Sequence, residues 1–204
     1  MQDQNHKSAP QSPSADGLAA AAAVASKKGG LPPVHLWNPP FCGDLDMRIA
    51  RDGTWFYLGT PIGREALVRL FSSILKREEG KYFLVTPVEK VGILVEDAPL
   101  FAVDIEAEGQ GRDQVLRFTT KTGDNAIASA AHPLRIARDG VTGEPSPYIL
   151  IRGKEDAALW ARIDRKSFLR MVDFGCHEPH DGDSWFGLWS SGLFFPVIRS
   201  SELA

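Results

Sequence analysis

Residues 48–71 align with residues 149–172 without a gap, at an offset of 101. Arg51 meets Arg152, Leu58 meets Leu159, Ile62 meets Ile163, Arg64 meets Arg165 and Arg69 meets Arg170. Average composition gives roughly one or two such matches by chance, and recurrence at a fixed offset marks a duplicated unit. With a shift of two residues the correspondence continues: Tyr82-Phe83 faces Trp185-Phe186, and "TPVEK" (86–90) faces "WSSGL" (189–193). The repeated unit reads as strand, strand, helix, strand, strand.

Periodicity supplies the elements. In "MRIARDGTWFYLG", Asp52-Gly53 stands between two β-prone runs, a short-range hairpin signal. Leu67, Leu70, Phe71, Ile74 and Leu75 have the spacing of a helix that buries one face within residues 63–80, and Gly80 is its stop. "KYFLVTPVEKVGILVED" resumes strand character, broken at Thr86-Pro87 because proline cannot donate to a ladder. From residue 98 come "LFAVDIEAEG", "QVLRFTTKTG", "NAIASAAHPLRIA", "PYILIRG" and "ALWARID", short runs separated by turn residues, as in an antiparallel sheet or barrel. A second helix, "RKSFLRMVDFG", sets Phe168, Leu169 and Val172 on one face and ends at Gly175. Strands in "SWFGLWSSGLFFPVI" finish the chain.

The expected fold class is α+β, with two related β-rich subdomains of one main helix each. They span residues 31–97 and 98–204, after a disordered leader over residues 1–30 rich in Ser, Pro, Gln and Ala. At 204 residues, 43% of them hydrophobic, each half can bury a core of its own.

Charge and cysteine usage exclude several classes. With 23 basic and 26 acidic residues, a net −3, there is no global positive field for phosphate backbones, so nucleic acid is not an expected partner. No run reaches the roughly 18–20 apolar residues of a spanning helix, and "GLAAAAAVAS" lacks the basic start and Leu-rich stretch of an export signal. Cys42 and Cys176 are too few and too far apart for a disulfide framework. Reduced thiols, a cytoplasmic location and no membrane association are expected.

The segments "VHLWNPPFCGDLDMRIARDG", "KYFLVTPVEKVGI", "PYILIRG" and "LWSSGLFFP", in that order, resemble a family of bacterial proteins known as a domain of unknown function. The resemblance covers about residues 31–197. It implies two small related domains, the C-terminal one a pleckstrin-homology-like, partly open barrel. It also implies a nucleotide-like ligand at the domain interface and a part in signal transduction. It brings no catalytic residues.

Several constellations carry chemistry. Strand alternation sets Asp44, Asp46 and Arg48 on one face and Leu45, Met47 and Ile49 in the core. That row reads as a solvated face, as a polar ligand surface, or, with Cys42, as a thiolate or metal centre. "CHEPHDGD" (176–183) has the most metal-like composition, but its spacing matches no zinc pattern and a polar helix-to-strand loop accounts for it. No metal and no cofactor is expected. Trp185, Phe186, Trp189, Phe194 and Phe195 read as core, with a stacking platform as the functional reading. P-loop and dinucleotide fingerprints are absent from the sequence.

If the duplicated units pack about an approximate two-fold axis, the loop from Asn38 to Asp46 and the equivalent turns at 86–90 and 189–191 approach one crevice. The expected ligand-binding residues are Asn38, Asp44, Asp46, Arg48, Thr86, Glu89, Lys90, Trp189, Ser190 and Ser191. Arg48, Lys90, Ser190 and Ser191 would hold the anion, and Trp189 would stack. No nucleophile, base and orienting group can be placed together, so no catalytic residues are expected and the protein reads as non-enzymatic. Two other classes stay open: a module that docks a signalling protein, and a hydrolase using Cys42 or a metal at Asp44 and Asp46.

Overall fold

The computed structural model describes residues 14–25, 30–138 and 143–203. Helix α1 spans Ala15–Ala25. Its presence corrects the expectation of a disordered leader for that stretch. Alanine is the strongest helix former, the Ser14 hydroxyl accepts the Gly17 N–H at 3.2 Å as an N-cap, and Ala15, Leu18 and Ala22 are buried at helical spacing with α1 packed on the next helix. Residues 1–13 and 26–29 of the expected leader lie outside the described residues.

The N-terminal half continues with β1 (Phe41–Ile49), β2 (Trp55–Tyr57), β3 (Thr60–Pro61), α2 (Glu65–Ser73), β4 (Leu75–Glu78), β5 (Lys81–Val85) and β6 (Lys90–Val95). Then come β7 (Leu100–Glu108), β8 (Val115–Thr120), β9 (Asn125–Ile127), β10 (Leu134–Arg138), β11 (Pro145–Arg152) and β12 (Leu159–Ile163). Helix α3 (Arg165–Asp173) and the strands β13 (Cys176–His180), β14 (Asp183–Ser190) and β15 (Leu193–Arg199) complete the order.

The architecture is α+β, with two β-rich halves each carrying a helix. The first sheet has the order β3-β2-β1-β6-β5-β4, with β1 and β6 parallel. The second has the order β9-β8-β7-β12-β11-β10, with β7 and β12 parallel. Raising every label of the first sheet by six gives the second. The order helix, strand, strand, strand also recurs, as α2 with β4–β6 and as α3 with β13–β15. The first hairpin turns of both triplets carry paired positive φ angles, 49° and 76° at Glu79-Gly80 against 51° and 81° at Asp181-Gly182. Two consecutive residues at positive φ are what a type I′ hairpin turn needs. The triplets differ in destination: β6 joins β1 in the first sheet, whereas β13–β15 form a separate three-stranded sheet.

Two helix expectations change in detail. The first helix stops at Ser73, and Leu75–Glu78 pairs with Lys81–Leu84 as a strand. Ile74 is β-branched and Glu79-Gly80 makes a tight turn, so the last apolar pair belongs to a hairpin instead of a further helical turn. In α3 the buried positions are Ser167 and Met171, while Leu169 is 59% and Val172 49% exposed. The helix is rotated from the expected face, docks on β7 and pairs Arg170 with Asp104 of that strand. Asp164 fixes its start by accepting the Ser167 N–H at 2.7 Å.

One buried apolar cluster runs through both halves, from Met47, Phe71 and Leu84 to Ile105, Phe118, Ile149 and Met171. Strand β11 is buried on both faces, because the N-terminal half covers the side that a free antiparallel sheet would show to water. Among the described residues no helix is long and apolar enough to cross a membrane.

Candidate functional site

The seam between the halves carries the most concentrated polar chemistry. Strand pairing explains how. On the N-terminal side Arg77 of β4 lies opposite Tyr82 of β5, with its guanidinium 6.0 Å from the centre of that ring. On the C-terminal side Arg135 of β10 lies opposite Tyr148 of β11, which lies opposite Arg162 of β12. Trp160 precedes Arg162 by two residues and so shares its face. The Arg135 guanidinium sits 5.0 Å from the Tyr148 ring centre and 4.8 Å from that of Trp160. The opposite faces of the same strands supply Ile149 and Ala161 to the core.

These side chains enclose a cleft of about 310 Å³, closed by the linker Asp97-Ala98 and by Glu155. Asp97 is fully engaged: Tyr148 donates its hydroxyl at 2.7 Å and Arg162 donates at 2.6 Å. Burial pushes the Tyr148 phenol above its usual range, and the hydrogen bond to Asp97 adds to the rise. Burial raises Tyr82 as well, with the nearby Asp97 charge adding and Arg77 and Arg135 opposing. Both phenols therefore stay protonated near neutrality, with the Tyr148 proton already given to Asp97. Arg77 donates to the Asp156 backbone oxygen at 2.8 Å, and the Asp156 carboxylate accepts the Glu79 N–H at 2.6 Å. Arg135 differs from its neighbours. Among the described residues it has no hydrogen-bonded or ionic partner, only its two rings.

Two further cavities adjoin along the same seam. An apolar groove of about 410 Å³ is lined by Leu31, Pro33, Val34, Leu75, Ala157 and Leu159, with Arg77 as a shared wall. Beyond it, about 390 Å³ is bordered by Arg69, Asp124, Asn125 and Arg152. Gly153 shapes the turn between them: its φ is 74°, and a Cβ there would collide with the Ala157 carbonyl oxygen.

The residues expected from the sequence lie elsewhere. Asp44 and Asp46 are exposed on β1 while Leu45, Met47 and Ile49 are buried, as alternation requires. On that outer face Arg48 pairs with Glu96 and lies 4.2 Å from the Phe56 ring centre. Asn38 is exposed. The Thr86 hydroxyl accepts the Glu89 N–H at 3.2 Å within its own turn, and Lys90 pairs with Glu78 at 2.8 Å. Trp189 donates to Glu178 at 3.1 Å. Ser190 is buried; it donates to the Ala128 carbonyl at 2.7 Å and accepts the Leu116 N–H at 3.0 Å. Ser191 donates to the same carbonyl at 3.0 Å. The 189–191 turn thus holds the small sheet onto the second sheet, and none of the ten residues lines the three seam cavities.

"CHEPHDGD" is not a loop: its first five residues are β13 and Asp181-Gly182 is the hairpin turn. Among the described residues, no three His, Cys, Asp or Glu side chains converge on a point that would hold a metal. Cys42 is exposed. Burial raises the Cys176 thiol, and the neighbouring Glu178 charge adds to the rise.

The Ser190 bonds yield an expected result. Ser190→Ala strands the Leu116 N–H inside the protein and lowers the unfolding free energy by about 1–3 kcal/mol in urea titration. Ser191→Ala has the smaller effect, since Ala128 keeps its Ser190 donor. Equal losses would refute this account of the turn.

Two family models tile the chain: "Domain of unknown function (DUF1285), N-terminal domain" over residues 32–98 and "Protein of unknown function (DUF1285), C-terminal domain" over residues 99–197. The crystal structure of a DUF1285 family protein from Silicibacter pomeroyi DSS-3 is 63% identical, over 93% of this chain and 99% of that one, with a TM-score of 0.82. The chain belongs to the DUF1285 family. A second DUF1285 family protein, from Shewanella baltica OS155, is 32% identical over 63% of this chain and 91% of its own, with a TM-score of 0.48. No curated protein matches. The boundary between the two DUF1285 models falls at Ala98-Pro99, beside the Asp97 that ties the linker to β11 and β12. Helix α1 precedes the matched region.

Proposed function

We propose that this DUF1285 protein binds a small anion with a planar body, nucleotide-like in chemistry, in the polar cleft between its halves. Binding would be non-catalytic, and the protein a cytoplasmic component of signal transduction whose bound state is read by a partner protein. One observation carries the reading: among the described residues Arg135 has no anionic partner, and it is held between Tyr148 and Trp160, facing the Arg77–Tyr82 pair across the seam. A guanidinium fixed by two rings has lost little further freedom to lose, and its donors match the paired oxygens of a phosphate or carboxylate. The Asp97 charge is balanced by Arg162, which leaves Arg135 as the uncommitted charge. A pleckstrin-homology-like reading of the C-terminal half belongs to the same proposal, supported by its sheets of six and three strands with α3 docked on β7.

Thermal-shift measurements with pyrophosphate and with nucleoside monophosphates test it. A ligand at about 100 times its dissociation constant stabilises the fold by roughly 2.7 kcal/mol. Arg135→Ala is expected to weaken binding at least tenfold while leaving the melting temperature of the free protein nearly unchanged, because the side chain is solvent-exposed. No shift with any of these anions, or an equal shift in the variant, overturns the proposal.

A further inference from the structure

The outer face of the first sheet, away from the seam and its cavities, mixes exposed carbon with charge in an ordered way. The Phe41 ring stands edge-on to Phe83 with centroids 6.1 Å apart. Phe41 is 54% and Leu94 59% exposed. A face left to water alternates to polar side chains, and grouped apolar exposure marks an interface. The second sheet is covered: α3 docks on β7, and Ser190 and Ser191 fasten the small sheet to it.

The register lays charge across this face in rows. In one row Lys76 of β4 lies opposite Phe83 of β5, Phe83 opposite Gly92 of β6, and Gly92 opposite Asp44 of β1. One step along the strands, Glu78 lies opposite Lys81, and Leu94 lies opposite Arg48. Tyr82 opposite Ile93 sets Lys81 beside Leu94, which completes the second row. Both rows end in opposite charges, Lys76 against Asp44 and Glu78 against Arg48. The two orders are reversed, so β4 and β1 carry complementary patterns.

Half a turn about an axis along the strands, between β5 and β6, sets each row on its own reverse. Lys76 then faces the Asp44 of a second copy, Glu78 faces its Arg48, and Phe83 faces its Gly92, where no side chain stands in the way. Such a surface is complementary to itself, which is what a two-fold interface requires. Asp44 is the group still to be satisfied: it is exposed, and among the described residues its carboxylate has no hydrogen-bonded or ionic partner.

We propose that the outer face of the first sheet is a two-fold interface between two copies of this chain. Four strands about 4.8 Å apart, overlapping along roughly 25 Å, bury on the order of 1,000 Å² in total. That is the low end for a specific interface, so the dimer is a reversible one. Arg77 and Tyr82 alternate onto the other face of β4 and β5, which leaves the polar cleft open in the dimer and makes the proposal independent of anion binding.

Sedimentation velocity over a range of protein concentrations is expected to show one chain in equilibrium with a species of twice its mass. Leu94→Arg, which sets a cation against the partner's Lys81, is expected to weaken the dimer at least tenfold while the protein still melts cooperatively. Asp44→Lys is expected to do the same, as is Lys76→Glu. Mixing the Asp44→Lys and Lys76→Glu chains is expected to restore the dimer, because every reversed charge then meets its opposite. A monomer at every concentration overturns the proposal and leaves the face to a different protein. A dimer that survives Leu94→Arg and Asp44→Lys, or weakened variants that stay monomeric when mixed, overturns it as well.

Discussion

Arg152→Ala is expected to lower the stability of this DUF1285 protein by about 3–5 kcal/mol, the usual loss when one partner of a buried ion pair is removed. The melting temperature should fall by roughly 6–20 °C for a chain of this length. Arg152 and Asp124 are largely but not fully buried together, with side-chain exposures of 16% and 10%. Arg152 Nε meets Asp124 Oδ1 at 2.8 Å. The second carboxylate oxygen accepts from the Thr120 and Thr122 hydroxyls at 3.1 and 3.0 Å. Its remaining guanidinium nitrogen crosses the seam to the Ser72 carbonyl of α2 at 2.7 Å. Carbonyls in the last turn of a helix have no partner within the helix, and a cation there also meets the negative end of its dipole. One side chain thus neutralises a carboxylate of the C-terminal half and caps a helix of the N-terminal half. Alanine leaves the Asp124 carboxylate without its counter-charge and the Ser72 carbonyl without its charged donor. Arg152→Lys should recover only part of the loss, since one ammonium cannot reproduce the fork. A loss below about 1 kcal/mol by chemical denaturation would show that the pair contributes no more than a surface salt bridge.

The same residue shows what a sequence reader can and cannot see. Arg152 entered the sequence comparison as the repeat partner of Arg51, a match of letters at a fixed offset. Its role depends on Asp124 and Ser72, which lie 28 and 80 residues away. Local periodicity was legible: alternation along β1 sorts Asp44, Asp46 and Arg48 from Leu45, Met47 and Ile49 in the way observed, and the i, i+3, i+4 pattern locates α2. The recurrence of helix and strands at an offset near 100 was legible too, because it preserves order along the chain. The shared strand order of the two six-stranded sheets was not, since β1 and β7 pair in parallel with strands far along the chain, and no local pattern records which.

The seam site was missed for a related reason. Arg77 falls within the expected first helix, and Arg135 and Trp160 fall in short runs where an arginine reads as a solvated face and an aromatic as core. Only the register that puts Arg135 opposite Tyr148 makes them a unit. A weak signal was present in "PYILIRG", an apolar run too continuous for a strand with one wet face, which indicated that something covers β11 on both sides. The Ser190 and Ser191 hydroxyls misled in the other direction. Their chemistry suits a ligand, and the fold uses it to fasten one sheet to another.

Phe71→Ala is the second large effect. Phe71 is fully buried, and its ring stacks on Trp55 with centroids 6.2 Å apart and an interplanar angle of 21°. Apart from Phe71 and the small Ser72, the apolar side chains of α2 are only half-buried, so this ring is the principal anchor of the helix on its sheet. Truncation to alanine removes the transfer free energy of the ring and leaves a cavity that the stacked Trp55 and the sheet cannot close, a loss of about 3–5 kcal/mol. The effect should travel outward. Helix α1 packs on α2 and contributes one large buried side chain, Leu18, with two alanines, which at about 1.5–3 kcal/mol for a leucine is little against the entropy of ordering eleven residues. Amide exchange in residues 15–25 is therefore expected to accelerate in Phe71→Ala before the core strands are affected. Val172 stands at the offset-101 equivalent of Phe71 and is 49% exposed; Val172→Ala should change stability by no more than about 0.5 kcal/mol. Comparable losses in the two variants would place Val172 in the core and refute the rotation of α3 that sets the two halves apart.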